Sequence, residues 1–328
     1  RFKKISFSKI IEISLLVTFF LLSCSPITDA DSINYHVAVS LNILNFGIFP
    51  TNLEWFHSKL AGSGEVINAL ALSVGAEQFG SLIQFFSIAS INIIFKFFNY
   101  KKRKIIQICS LLFLSSPVLV ALVSSHKPML IGISMVFLSG FLVIHFLVDK
   151  NFSHKNKLKI FGITTLLLLT ASTIKLNFIL SSLIIGTYSL FVMIKSRIIF
   201  RSFFLGFFLF LIVFFPFTIW KTYYFGGNVF LNIFEAFPGN YPATEEFYNQ
   251  LKNWRDNESI FPLNFIFTSN LSLITTVLGV GTILLILPTL KIQNYKSFKF
   301  KIFVFLSLSI SLFLYLLSQK NSRFFLEV

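Results

Sequence analysis

Charge is what this sequence lacks. Only 12% of its 328 residues are Asp, Glu, Lys or Arg, against 55% hydrophobic. A water-soluble domain of that length needs a charged coat, and this chain cannot supply one. Cysteine is nearly missing as well. Cys24 closes the first apolar run and Cys109 falls near the opposite membrane face, so the geometry disfavours a disulfide between them. No cluster of Cys and His has metal-ligand spacing. Acids are few, and the formal net charge is +15. The surplus forms no basic stripe along a polar domain, which argues against nucleic acid as a partner. It sits in short clusters between apolar stretches, where anionic headgroups meet it.

What is abundant is apolar surface, with 45 Phe. Repeated apolar runs approach the ~20 residues needed to cross a bilayer core as helix. They predict spans at Ile10–Cys24, Ser81–Phe98, Ile105–Val123, Met129–Val148 and Ile160–Ile174, then at Leu176–Ile194, Ser202–Trp220, Leu271–Leu287 and Ile302–Leu317. The stretch Ile160–Ile194 is interrupted only by Lys175. As one helix it would run roughly 50 Å against a core of ~30 Å, so a hairpin turning at Lys175 is expected. The fold class is thus all-α, a polytopic transmembrane helix bundle of about nine spans in one domain over residues 1–328. Lys and Arg set its orientation. With the N-terminus inside, inner segments hold 20 of the 28 basic residues and outer segments the other 8. The start resembles a lipoprotein signal ending in Leu21-Leu22-Ser23-Cys24, but Glu12 inside the apolar run favours a retained first helix. A first residue Arg1 and an end at Glu327-Val328, just past a span, raise the expectation of a piece of a longer chain.

The polar segments are unequal. Inner ones are short and basic, whereas two outer loops are long, about 25–80 and 222–270. Loops of that length that are rich in aromatics are functional rather than disordered. In the second, Phe237-Pro238-Gly239-Asn240-Tyr241-Pro242 and Trp254-Arg255-Asp256 mix rings with amides and charges, as sugar binding requires. A plain loop folded over the bundle has the same composition.

In the first loop, Asp29 and Asp31 follow the first span, two carboxylates at the membrane surface that could act as general base or hold a divalent cation. Ile33, Val37, Leu41 and Leu44 then recur at helical spacing, which predicts a helix lying in the interface with its apolar face down. Tyr35, His36, Glu54, Trp55 and His57 complete the candidate substrate contacts, the histidines as proton-transfer groups. Plainer roles stand beside these. Asp31 or Ser32 suits a helix cap, Tyr35 and Trp55 suit interface anchors, and Glu65 suits the first turn of a helix.

A polytopic chain with an acidic motif just after its first helix resembles the GT-C glycosyltransferases, above all the bacterial dolichyl-phosphate-mannose and lipid A aminoarabinose transferase-like branch. That branch places an aspartate and, four residues on, a tyrosine at the start of an interfacial helix, and Asp31-Ser32-Ile33-Asn34-Tyr35 has this spacing. Ser32 departs from the many members that carry a second acid there. The resemblance implies a glycosyltransferase that moves a sugar from a polyprenyl-phosphate carrier to a glycan, lipid or protein acceptor at the outer face of the bacterial inner membrane. It implies Asp31, with Asp29 second, as the base, and basic residues in short outer turns as phosphate ligands. Lys127, Lys175 and Arg323 all fall on that side. Each alone suits a snorkelling anchor better, and it is their convergence on the side of Asp29 and Asp31 that favours the functional reading. A secondary transporter or lipid flippase is the alternative, though the spans are poor in polar or broken helices.

Overall fold

The computed structural model describes residues 6–50, 61–98, 103–149, 151–224, 249, 278–279 and 298–317. Among these residues the chain is helical and carries no strand. Glu54, Trp55, His57, Arg323, nearly all of the second long loop and most of the expected span Leu271–Leu287 lie outside them.

Helix α1 (Phe7–Ser23) leads into the first loop. There a π-helical turn, Ser32–Val37, runs on into α2 (Ala38–Phe46) and ends at Gly47, whose φ of 70° a glycine adopts without strain. Next come α3 (Ser63–Ser73), α4 (Phe79–Phe98), α5 (Arg103–Leu114), α6 (Pro117–Val123) and α7 (Met129–Leu142), which a π turn extends to Leu147. Helices α8 (His154–Ile174) and α9 (Ile179–Lys195) form the expected hairpin. Lys175 is extended between them (φ −153°, ψ 127°), and Ser182 Oγ donates to Leu168 O at 3.0 Å across the pair. Then α10 (Ile199–Leu209), a π turn and α11 (Phe215–Tyr224) continue as one run, and α12 (Phe298–Leu317) packs on α9.

Five helical runs among the described residues are long and apolar enough to cross a membrane: Phe79–Phe97, Met129–Leu147, His154–Ile174, Leu176–Lys195 and Ile199–Trp220. In the last, only 11% of the apolar stretch is buried within the protein. Phe200, Phe203, Phe204, Phe207 and Phe208 all stand exposed. Leaving five such rings in water forgoes about 1.5–3 kcal/mol each, a cost that lipid removes. Between the helices, by contrast, small residues let the backbones approach. Ser139, Ser172, Ser189 and Ser202 are buried, each hydroxyl returned to the carbonyl four residues back.

The single span expected over Ile105–Val123 is instead two helices. Pro117 sits at the first position of α6, and the residue before a proline is pushed out of the helical region, here Ser116 at ψ 121°. Ser116 Oγ donates to Leu278 O at 2.7 Å. The acid that interrupts the first span also has its explanation. Buried Glu12 meets Lys96 of α4 and accepts from Asn92 Nδ2 at 2.9 Å and from Ser110 Oγ at 3.1 Å. A charge in an apolar bundle persists only when paired in this way. Cys24 and Cys109 are both free.

Candidate functional site

The first loop, the turn 124–128 and the tip of the α8–α9 hairpin meet at one end of the bundle. Asp29 organises the loop. Its Oδ2 accepts from Ser32 N at 2.9 Å and from Ser32 Oγ at 2.8 Å, so the helix is capped from Asp29. This corrects the capping role expected of Asp31 or Ser32, since Asp31 makes no side-chain cap bond. Ser32 Oγ in turn accepts from His126 N at 3.0 Å. Asn68 Nδ2 donates to His126 O at 3.2 Å, and His126 Nε2 donates to Glu77 O at 2.6 Å. Three bonds thus stitch the 124–128 turn to the loop and aim the adjacent Lys127 at the aspartates. Its Nζ stands 3.1 Å from Asp29 Oδ2 and 3.0 Å from Asp31 Oδ2. Asp31 remains half exposed, and Lys127 is largely covered.

Beneath them His36 and Glu65 form a buried pair, Nδ1 to Oε1 at 2.6 Å. Glu65 also accepts Gly62 N at 2.6 Å through Oε2, which ties off the start of α3 as expected of a first-turn acid. Burial pushes the His36 imidazole below its ordinary pKa, more than the Glu65 hydrogen bond and charge raise it, while the charges of Lys175 and Lys127 lower it further. A neutral ring that donates from Nδ1 leaves Nε2 with a lone pair, and that nitrogen is buried without a partner. His126 is likewise held low, chiefly by burial.

Close packing brings the hairpin tip to this cluster. A Cβ on Gly62 would stand 2.1 Å from Ile174 O, and one on Gly64 would stand 2.4 Å from Pro128 Cβ. Ser63 Oγ and Thr173 Oγ1 lie 3.0 Å apart between them. Lys175, next along the chain, therefore joins Lys127 around one site.

Of the residues expected from sequence, Asp29, Asp31, Tyr35, His36, Lys127 and Lys175 are gathered here. Tyr35 and His36 are buried, their ring centroids 3.9 Å apart, so both belong to the floor of the site and not to its open face. Along the expected interfacial helix Val37 is half-buried and Asn34 and Asn45 are exposed. Ile33, Leu41 and Leu44 are exposed, while Ser32, His36 and Ser40 turn inward. Glu65, Ser32, Gly62 and His126 were not among the expected site residues. The run Gly62-Ser63-Gly64-Glu65, two glycines around a serine before an acid, is the local signal for two of them.

The DUF1420 N-terminal domain model matches residues 1–328. The chain belongs to this family. No curated protein and no solved structure matches it.

In this DUF1420 domain the clustered groups can perform two kinds of chemistry. Asp31 is a carboxylate open to solvent, able to take a proton. Lys127 and Lys175 are cations placed to receive an anion in a partly apolar setting, where the attraction exceeds that in bulk water. A divalent cation fits less well. Lys127 already neutralises both aspartates, and among the described residues no group of three or more His, Cys, Asp or Glu could hold a metal.

Proposed function

We propose that this protein is a glycosyltransferase that moves a sugar from a polyprenyl-phosphate carrier to an acceptor at the outer face of the bacterial inner membrane, through a bundle of about nine spans. The observation that carries the reading is Lys127 held between Asp29 and Asp31, next to the Lys175 tip. A transferase needs a base and an anion clamp within one substrate's reach, and this arrangement supplies both. In the resting state Lys127 is ion-paired with Asp31. An incoming donor phosphate draws the ammonium away and frees the carboxylate for the acceptor. Asp31 then takes the proton of an acceptor hydroxyl, whose oxygen attacks the anomeric carbon. The bond from that carbon to the phosphate oxygen breaks with inversion. Polyprenyl phosphate leaves with its charge held by Lys127 and Lys175. Asp29 holds the helix start, and the buried His36–Glu65 hydrogen bond keeps the floor rigid. The direct test is release of sugar from a polyprenyl-phospho-sugar by purified protein. Failure across several such donors, with the protein folded, removes the reading.

The break between α5 and α6 supports a second reading. Discontinuous helices inside a membrane are a mark of secondary transporters. The buried Glu12–Lys96 pair joins α1 to α4, and Ser110 of α5 donates to Glu12. Substrate-coupled uptake into vesicles, without sugar transfer, would decide for it.

A further inference from the structure

At the end of the bundle opposite Asp31, a cavity of ≈ 810 Å³ opens where α7 ends, α8 begins and α9 ends. Its polar wall carries His154, Lys157, Lys195 and Arg197 and no acid. Among the described residues none of these cations meets a carboxylate at ion-pairing distance. Two of them are nonetheless fixed. Lys157 is 9% exposed with Nζ donating to Ser196 Oγ at 3.3 Å, and Lys195 Nζ lies 4.4 Å from the centroid of the Phe191 ring. Arg197 follows α9 at φ 57°, in the left-handed position that usually belongs to glycine, with Ile198 N bonded to Met193 O at 3.3 Å. A side chain in that conformation costs strain that glycine would avoid, and here Arg197 lines the cavity.

The cavity does not end at its polar wall. Tyr188 and Phe191 also line a second space of ≈ 610 Å³, an almost wholly apolar groove between α9 and α12 that reaches Leu180 and Leu183 on one side and Phe305 on the other. From Phe191 to Leu180 the groove follows α9 for roughly 16 Å at 1.5 Å per residue. One leaflet of a ~30 Å core is about that deep. A compact cationic pocket that continues into an apolar groove one leaflet long complements the shape and charge of a single anionic lipid.

We propose that this site holds one anionic glycerophospholipid, its phosphate on Lys157, Lys195 and Arg197 and an acyl chain along the α9–α12 groove. The site is independent of the chemistry at Asp31. Full-length protein in neutral detergent would be titrated with phosphatidylglycerol, phosphatidylcholine, a polyprenyl phosphate and inorganic phosphate, and bound lipid counted by native mass spectrometry. The expected result is one phosphatidylglycerol retained in preference to phosphatidylcholine. Combined Lys157→Gln, Lys195→Gln and Arg197→Gln should weaken it about tenfold or more, from the loss of charge-assisted bonds. Combined Lys155→Gln and Lys159→Gln, on the exposed side of α8, should not. Thr187→Trp, which fills the groove and spares the cations, should reduce phosphatidylglycerol binding as well, and it keeps the test open should the triple variant fail to fold. Equal weakening by the Lys155/Lys159 pair would reduce the site to general basic attraction. Preference for the polyprenyl phosphate, or competition by inorganic phosphate as effective as by lipid, would overturn the assigned occupant.

Discussion

Lys127 Nζ lies 3.1 Å from Asp29 Oδ2, although 98 residues of chain separate them. The contact joins a helix-capping acid to a basic turn, and through Lys127 it reaches Asp31 as well. The two acids therefore do different work. Asp31→Asn should abolish transfer and leave the melting temperature in detergent near that of the wild type. Asp29→Ala should lower stability by ~1 kcal/mol through loss of the cap, and activity with it. Wild-type turnover in Asp31→Asn would exclude it as base.

Lys127 and Lys175 should show themselves in the donor. Lys127→Gln and Lys175→Gln are expected to cost on the order of 1.5–3 kcal/mol of donor or transition-state binding each. Rates measured against polyprenyl-phospho-sugar concentration would report this as a raised half-saturation or a lowered maximum. Two curves that overlie the wild type would make both lysines simple anchors.

The His36–Glu65 pair makes stability sensitive to acid. His36 is held below its ordinary pKa of 6.5, chiefly by burial, so on acidification the unfolded chain takes up this proton first. The contribution is fully present above about pH 6.5 and is lost as pH falls from there towards the folded value. His36→Asn keeps a donor for Glu65 and cannot titrate. Melting at pH 7.5 and 5.0 should show a smaller acid loss in His36→Asn than in the wild type, with the remainder from His126. An unchanged loss would assign the acid sensitivity elsewhere.

Gly62 is a packing requirement. A methyl group there meets the Ile174 carbonyl, which is backbone and cannot swing aside. Gly62→Ala should therefore part α3 from the hairpin tip and destabilise by about 1–3 kcal/mol, as overpacking does. Ala substitution at Gly75, where no atom stands within 4 Å but φ is +74°, separates backbone strain from this collision. Comparable expression and melting of Gly62→Ala and wild type would rule the contact out.

Orientation is testable by thiol labelling after Cys24 and Cys109 are replaced. A cysteine at exposed Ser73, at the end that carries Asp31, should react with an impermeant reagent in intact cells. One at exposed Asn156, at the opposite end, should not. The reverse pattern would turn the site to the cytoplasm and remove the argument for a lipid-carried donor.

Five of the nine expected spans stand as long apolar helical runs among the described residues, and they were legible because hydropathy and length act locally. Lys175 marked the hairpin since one charge is costly at the centre of a long apolar run. The expected span over α5–α6 was misread, because Pro117 lies inside an unbroken apolar stretch and hydropathy is blind to a missing N–H. In the site, Asp29, Asp31 and Lys127 could be named as types in plausible places. Which acid caps and which stays open could not, because that depends on Ser32 bonding back to Asp29 and across to His126.

The sequence by itself determined a helical membrane protein, its apolar segments, its basic ends and an acidic loop after the first helix. These follow from composition and near-neighbour spacing, on which the transfer of a segment from water to lipid depends. Tertiary structure alone decided that Lys127 bridges two aspartates, that His36 is buried on Glu65, and that Gly62 admits the tip of the α8–α9 hairpin. Those outcomes join residues 29 to 112 positions apart. Their energies depend on distances of a few ångströms, which no pattern along the chain encodes.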